Sequence, residues 1–233
     1  MTVENTMAKR RHIALHLAHR WFAFLEAPGG NLETHLTIFH PQVRLSGRRG
    51  SHQFANDHAS LVAWFAAVPD EISSHHILHS SYATAENGDG LLSMVVAYQA
   101  KGDEDVHGSI ISYETRIEFV PGGARFTALD KTPILPNTRT EYETSWASNR
   151  VAALVHAELG SVPTSENCFR AQFGNDVRQL TVSTVAPEGS RQYDAVITYS
   201  KEGAATVNVL HVNVRDDVGS ELPDIEKWTV LNS

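Results

Sequence analysis

The sequence predicts an α+β protein in which helices cover one face of a curved antiparallel sheet. Three observations carry this. Apolar residues recur at three- and four-residue spacing over residues 8–27 and again over 56–68. The period then changes to two through four long segments between residues 75 and 134, joined by hairpin-length turns. After a short linker, one more helix followed by strands repeats the theme in abbreviated form.

The first helix carries Ile13, Leu17, Trp21, Phe24 and Leu25 at helical spacing and is stopped by Pro28-Gly29-Gly30. Asn31 caps a short second helix through Leu36. Phe39 to Ser46 alternates as a strand, and Gly47 to Gly50 is a basic turn. Asn56 to Val68 is a third helix, with Asp57 at its start to cap and complement the N-terminus.

Strands follow at His75–Thr84 and Leu91–Lys101, around the turn Asn87-Gly88-Asp89-Gly90. Ser109 to Val120 alternates cleanly, with Ile111, Tyr113, Thr115, Ile117 and Phe119 on one face. Pro121-Gly122-Gly123 turns the chain into Arg125–Ile134. Pro133 to Asn137 reads as a linker, so the expected domains are 1–136 and 137–233. The second holds a helix from Thr140 to Leu159, ended by Gly160. Strands then follow around Phe169–Phe173, Val177–Val185, Gln192–Ser200, Ala205–Val214 and Ile225–Leu231.

Composition narrows the function classes. A net charge of −8 argues against a phosphate backbone as the main partner. With 42% hydrophobic residues the chain can bury a core. No apolar run approaches the roughly 20 residues of a membrane span, and the polar start lacks an apolar signal core, so a cytoplasmic protein is expected. The single cysteine, Cys168, excludes an intrachain disulfide and reads as structural.

The candidate chemistry is that of acids, histidines and a tyrosine. Tyr113 lies on the inward face of its strand, where it is either a core tyrosine with its hydroxyl satisfied or an oxyanion donor. Asp130 follows Phe126 and Ala128 at period two, so an inward Phe126 would carry it inward as a general base or acid. Alternatively, Leu129 faces in and Asp130 pairs with Lys131 or Arg116 outside. His75 and His79 share a face with Ile77, and His76 lies on the other. One set faces the interior, where His76 or His79 would serve as an accessory acid; the alternative is a polar outer face or a dimer contact. His12, His16 and His19 recur at i, i+4 and i+7, but no carboxylate completes a metal set, so a solvated face and no metal site are expected. Trp21, Phe39, Trp64 and Tyr98 are expected to line or fill the interior.

Trp21-Phe-Ala-Phe-Leu25, Phe39-His-Pro-Gln-Val43, Leu61-Val-Ala-Trp-Phe65 and Ser74-His-His-Ile77 stand in the order in which they resemble the NTF2-like cone superfamily, in its SnoaL-like branch. The resemblance covers residues 8–135 well and 140–233 loosely. It implies a cone-shaped antiparallel sheet with helices on its concave face, in tandem with a second, abbreviated cone. It also implies a ligand: a small hydrophobic molecule, handled by proton transfer as in ketosteroid isomerases, dehydratases and polyketide cyclases, with no cofactor. Other members of the superfamily are non-catalytic binding or assembly modules. A homodimer and an internal pseudo-dimer give the same sequence signals.

Overall fold

The computed structural model describes residues 3–26, 32–67, 72–101, 105–139, 141–164, 169, 174, 176–185, 190–217 and 219–231. The chain divides into two compact units, Trp21–Trp146 and Met1–Arg20 with Ala147–Ser233. This differs from the expected split at residue 136. The first twenty residues group with the C-terminal part because their buried face bonds to its helix, as described below.

The first unit contains the last turns of helix α1 (Val3–Glu26), then α2 (Leu32–His35) and a 3-10 turn (Leu36–Ile38). Strand β1 (Phe39–Gly47), β2 (His52–Ala55) and α3 (His58–Ala67) come next. The long strands are β3 (Ile72–Thr84), β4 (Gly90–Lys101), β5 (Val106–Val120) and β6 (Gly123–Arg139). They form one six-stranded sheet in the order β2-β1-β6-β5-β4-β3. The element order is the one the cone resemblance implies. Two features depart from it. β1 runs parallel to β6, so the sheet is mixed at that edge. β6 continues through the expected linker, with Pro133 opposite Ile111 and Leu135 opposite Ile110. Register shifts on either side of Ile110 accommodate the prolines, as bulges do.

Local chemistry explains the element ends. Asp57 Oδ1 accepts the Ser60 N–H at 2.7 Å, which caps α3 as expected. Strand β4 buries Leu92, Met94 and Val96, and β5 buries Ile111, Tyr113, Thr115 and Ile117, so alternation aims these residues at a common core. β2 escaped the sequence reading because it is four residues long and largely exposed.

The second unit holds the first part of α1, helix α4 (Trp146–Gly160) and strands β7 (Val177–Val185), β8 (Gln192–Lys201), β9 (Val207–Arg215) and β10 (Asp224–Leu231). The strands form an antiparallel meander in the order β10-β9-β8-β7. The strand expected over Phe169–Phe173 lies outside the described residues, except for the buried Phe169. Cys168 also lies outside them.

Helix α4 is buried along its whole length from Val151 to Gly160. It ends one residue later than expected. Ser161, at φ +62°, donates to Glu158 O at 3.0 Å, and Val162 donates to Ala157 O at 2.8 Å. This pair of bonds is a Schellman cap built on a serine. Gly160 is needed for a different reason. A Cβ there would stand 2.7 Å from Ile13 Cγ1 and 3.0 Å from Ile13 N, so its missing side chain is what lets α1 approach.

The expected solvated histidine face is overturned. His12 and His16 are 2% and 3% exposed. His16 Nδ1 lies 2.8 Å from Ala153 O, and His19 Nδ1 lies 2.7 Å from Asn149 Oδ1. His156, the Ala153 carbonyl and the Asn149 side chain on α4 receive these rings, and Gly160 admits the helix backbone, so the imidazoles fill the seam instead of meeting water.

A buried ion pair closes the other side of this unit. Arg150 Nε and Nη2 meet Asp216 Oδ2 and Oδ1 at 3.0 and 2.5 Å. Tyr193 donates its hydroxyl to Asp216 Oδ2 at 3.1 Å. Arg150 also donates to Ser220 O and Glu221 O.

Among the described residues, no helix is long and apolar enough to cross a membrane.

Candidate functional site

The polar groups buried in the six-stranded unit converge on His75. Its ring stacks on Phe22 at 4.7 Å between centroids and only 7° between planes. Tyr98 meets it edge-on at 5.2 Å, and Tyr113 lies 6.5 Å away. Register explains the grouping: His75 pairs with Tyr98 across β3 and β4, and Tyr113 stands on β5, on the inner face predicted for it. Burial is the main cause that lowers the His75 pKa to about 3, helped by the charges of Lys131 and His76. Burial also raises the Tyr113 pKa well above the ordinary phenol range, with Tyr98 adding to the effect. At neutral pH the site therefore holds a neutral imidazole beside a protonated phenol.

A second layer fixes His75. Its backbone N–H donates to Ser145 Oγ at 2.9 Å. Ser145 Oγ in turn donates to Glu26 Oε2 at 2.5 Å, and Ser145 N donates to the same carboxylate. Tyr142 adds its hydroxyl to Glu26 Oε1 at 2.7 Å. Glu26 is 6% exposed, so this carboxylate is buried and satisfied by three donor groups. Gln99 ties down the same segment by donating to Glu141 O and accepting from Glu143 N.

The other predicted site residues go elsewhere. Asp130 does not share the inner face of Phe126. The pairing of β5 with β6 shifts between Arg116 and Ile117, so Leu129 is buried and Asp130 turns to the β1–β2 turn. There it accepts from Ser46 Oγ and Gly50 N at 2.7 Å, Thr132 Oγ1 at 2.9 Å and Arg49 N at 3.2 Å. Arg48 and Arg49 have φ of +53° and +57°, which aims successive N–H groups at one anion, and the carboxylate is that anion. Partial burial works to raise the Asp130 pKa, but the bonds from Ser46, Thr132, Gly50 and Arg49 together lower it.

A depressed folded pKa stabilises the protein above the unfolded value near 4 and loses that contribution as pH falls through the folded value. Asp130→Asn is thus expected to cost on the order of 1 kcal/mol at pH 7, discounted for exposure, and less at pH 3. Denaturant melts of both proteins at pH 7 and 3 check this.

His79 is also misplaced by the sequence reading. A bulge between Ile77 and His79 leaves Leu78 60% exposed and separates His79 from the face of His75. His79 is exposed. His76 is half-buried and bonds Glu143 O through Nε2 at 3.1 Å. Trp21 and Phe39 are in the interior, edge to face at 5.0 Å, and Phe39 meets Phe126 at 5.8 Å. Trp64 is apart from them. It packs on Phe54, and the Lys131 ammonium lies 5.4 Å from its ring centre.

A separate open concavity of about 440 Å³ lies over Ser81, Leu91, Ser93, Glu114 and Arg116. Its polar groups are engaged with one another or with neighbours: Ser93 donates to Glu114, and Arg116 pairs with Asp89.

The sequence reading chose His76 and His79 over His75, and it missed Glu26, Tyr142 and Ser145. Their one signal was a carboxylate at the end of an apolar helix, which invites a partner.

No family model and no curated protein matches the sequence. The structure is similar to solved ones at low identity. Hexachlorocyclohexane dehydrochlorinase LinA-type3 from Novosphingobium barchaimii aligns with 61% of this chain and 97% of its own, at 12% identity and a TM-score of 0.49. A LinA type 2 dehydrochlorinase gives 61% and 96%, at 11% identity and 0.49. ActVI-ORFA from Streptomyces coelicolor gives 54% and 96%, at 8% identity and 0.44.

Proposed function

We propose that the unit Trp21–Trp146 binds a small hydrophobic carbonyl or polyol compound and moves a proton within its apolar interior without a cofactor. The observation that carries this reading is a buried neutral His75 facing Tyr98 and Tyr113 among aromatic rings. His75 takes the proton from carbon, and Tyr113 donates a hydrogen bond to the oxyanion that develops. An isolated imidazolium is costly there, so the step requires the substrate anion beside it to balance the charge. Return of the proton to another carbon completes an isomerisation, and loss of a leaving group completes an elimination. Glu26, through Ser145, is a positioning residue for His75 in this scheme.

A second reading, a non-catalytic binding or assembly module, is favoured by the way rings fill the interior. Phe22 and Phe126 are fully buried, and Trp21 and Phe39 are 2% exposed. A thermal-shift titration with 2-naphthol, as a fused-ring phenolate mimic, separates the two. A rise in Tm that disappears in both His75→Gln and Tyr113→Phe is expected. A rise that persists in both variants, or none in the wild type, sinks the catalytic assignment and leaves the module.

A further inference from the structure

The four-stranded unit contains a second buried histidine cluster that the proposed chemistry does not use. His12 Nδ1 and His156 Nδ1 lie 2.9 Å apart, with their rings stacked at 5.1 Å. His19 stacks on the other side of His156 at 5.5 Å and 10°. His16, one helical turn from both His12 and His19, completes the row. The short N···N contact has a strict requirement: one nitrogen carries the hydrogen and the other presents its lone pair. Two imidazolium rings cannot make it. His12 Nε2 is buried, and the carbonyl that would receive a proton added there, Val177 O, already accepts from Arg11.

The surrounding charges reinforce this. On α1, Arg11 donates to Val177 O and Arg178 O, which brings its cation beside His12 and His156, while Arg178 on β7 is paired with Glu202. Arg20 stands beside His16. On α4, Arg150 is taken by Asp216, and Glu158 accepts from Phe169 N. Glu221 pairs with Arg20 at 2.6 Å. Among the described residues, Asp216, Glu158 and Glu221 are thus each bonded to another group. Burial is the main cause that holds all four histidines below their ordinary pKa; Arg11 adds to it at His12, Arg20 at His16 and the neighbouring imidazoles at His156, while bonds with Val177, Ala153 and Asn149 work against it at His12, His16 and His19.

We propose that the α1–α4 histidine row is an acid-triggered latch, closed while its imidazoles are neutral and forced open when they take up protons together. The sign follows from linkage. A histidine kept neutral when folded but free to charge at about pH 6.5 when unfolded favours opening as pH falls. Each one contributes up to about tenfold per pH unit. Four acting together shift the opening equilibrium by about 10³- to 10⁴-fold between pH 6 and pH 5.

The test is hydrogen exchange on the full chain from pH 7.5 to 4.5, read on peptides from α1 and α4 and, separately, from β4 and β5. Protection of the α1 and α4 peptides is expected to fall with a slope of about four protons below pH 6. His12→Gln/His156→Gln is expected to reduce that slope to about two. A wild-type slope of one or less, or a slope unchanged in the double variant, overturns the latch. If the variant does not fold, the ring-proton NMR titration of the wild type decides. Four histidines that stay untitrated until the seam opens support the latch, and four that titrate near pH 6.5 in the folded protein refute it.

Discussion

Phe22→Ala is expected to lower the unfolding free energy of the six-stranded unit by about 3–5 kcal/mol, the range for removing a buried aromatic from a core. Phe22 is fully buried, stacks on His75 and meets Tyr113 edge-on at 5.3 Å. Its loss removes the transfer energy of the ring and also leaves a void that the strands, held in register on both sides, cannot close. Phe22→Leu is expected to keep more than half of that energy by filling most of the void. Denaturant melts that follow a probe confined to this unit measure both. A loss under 1 kcal/mol for the alanine variant would mean that the ring is not packed as described. The void also has a use. An apolar cavity of this kind takes up small aromatic molecules, so benzene is expected to raise the Tm of Phe22→Ala and leave the wild type unmoved.

Arg150→Ala is expected to cost the four-stranded unit about 3–5 kcal/mol, because it strands a charge instead of removing a pair. The Asp216 side chain is 1% exposed, and the guanidinium supplies two of its hydrogen bonds, leaving the Tyr193 hydroxyl as the main remaining donor. The same change frees Ser220 O and Glu221 O of their donor. The control is the double variant Arg150→Met/Asp216→Leu, which removes both charges and is expected to recover most of the loss. A single variant as stable as the wild type would show that water reaches Asp216. Because Phe22 and Arg150 belong to different units, segment-resolved exchange separates the two effects.

Much of the fold was legible in the sequence because it rests on two periodicities that single residues cannot disguise. The alternation of Ile111, Tyr113, Thr115 and Ile117 predicted the inner face of β5, and Asp57 predicted the cap of α3. The site was less legible because each failed placement followed a break in register. A bulge at Leu78 turned His79 outward, and a shift opposite Arg116 turned Asp130 outward. Period-two reasoning assumes no bulge, and each bulge inverts every assignment beyond it. The histidines of α1 failed for another reason. A helix packed on a partner helix buries polar side chains as well as apolar ones, and polarity alone does not tell a solvated face from one satisfied by that partner.

The division of the chain has a consequence for its synthesis. Residues 21–146 form a unit contiguous in sequence and can condense as soon as they leave the ribosome. The residues made before them, Met1–Arg20, belong with a helix and strands that are translated after them. The first helix must therefore wait, with His12, His16 and its apolar side chains uncovered, until Ala147 onward has emerged. During that interval the face of α1 that carries His12 and His16 has no partner helix to cover it.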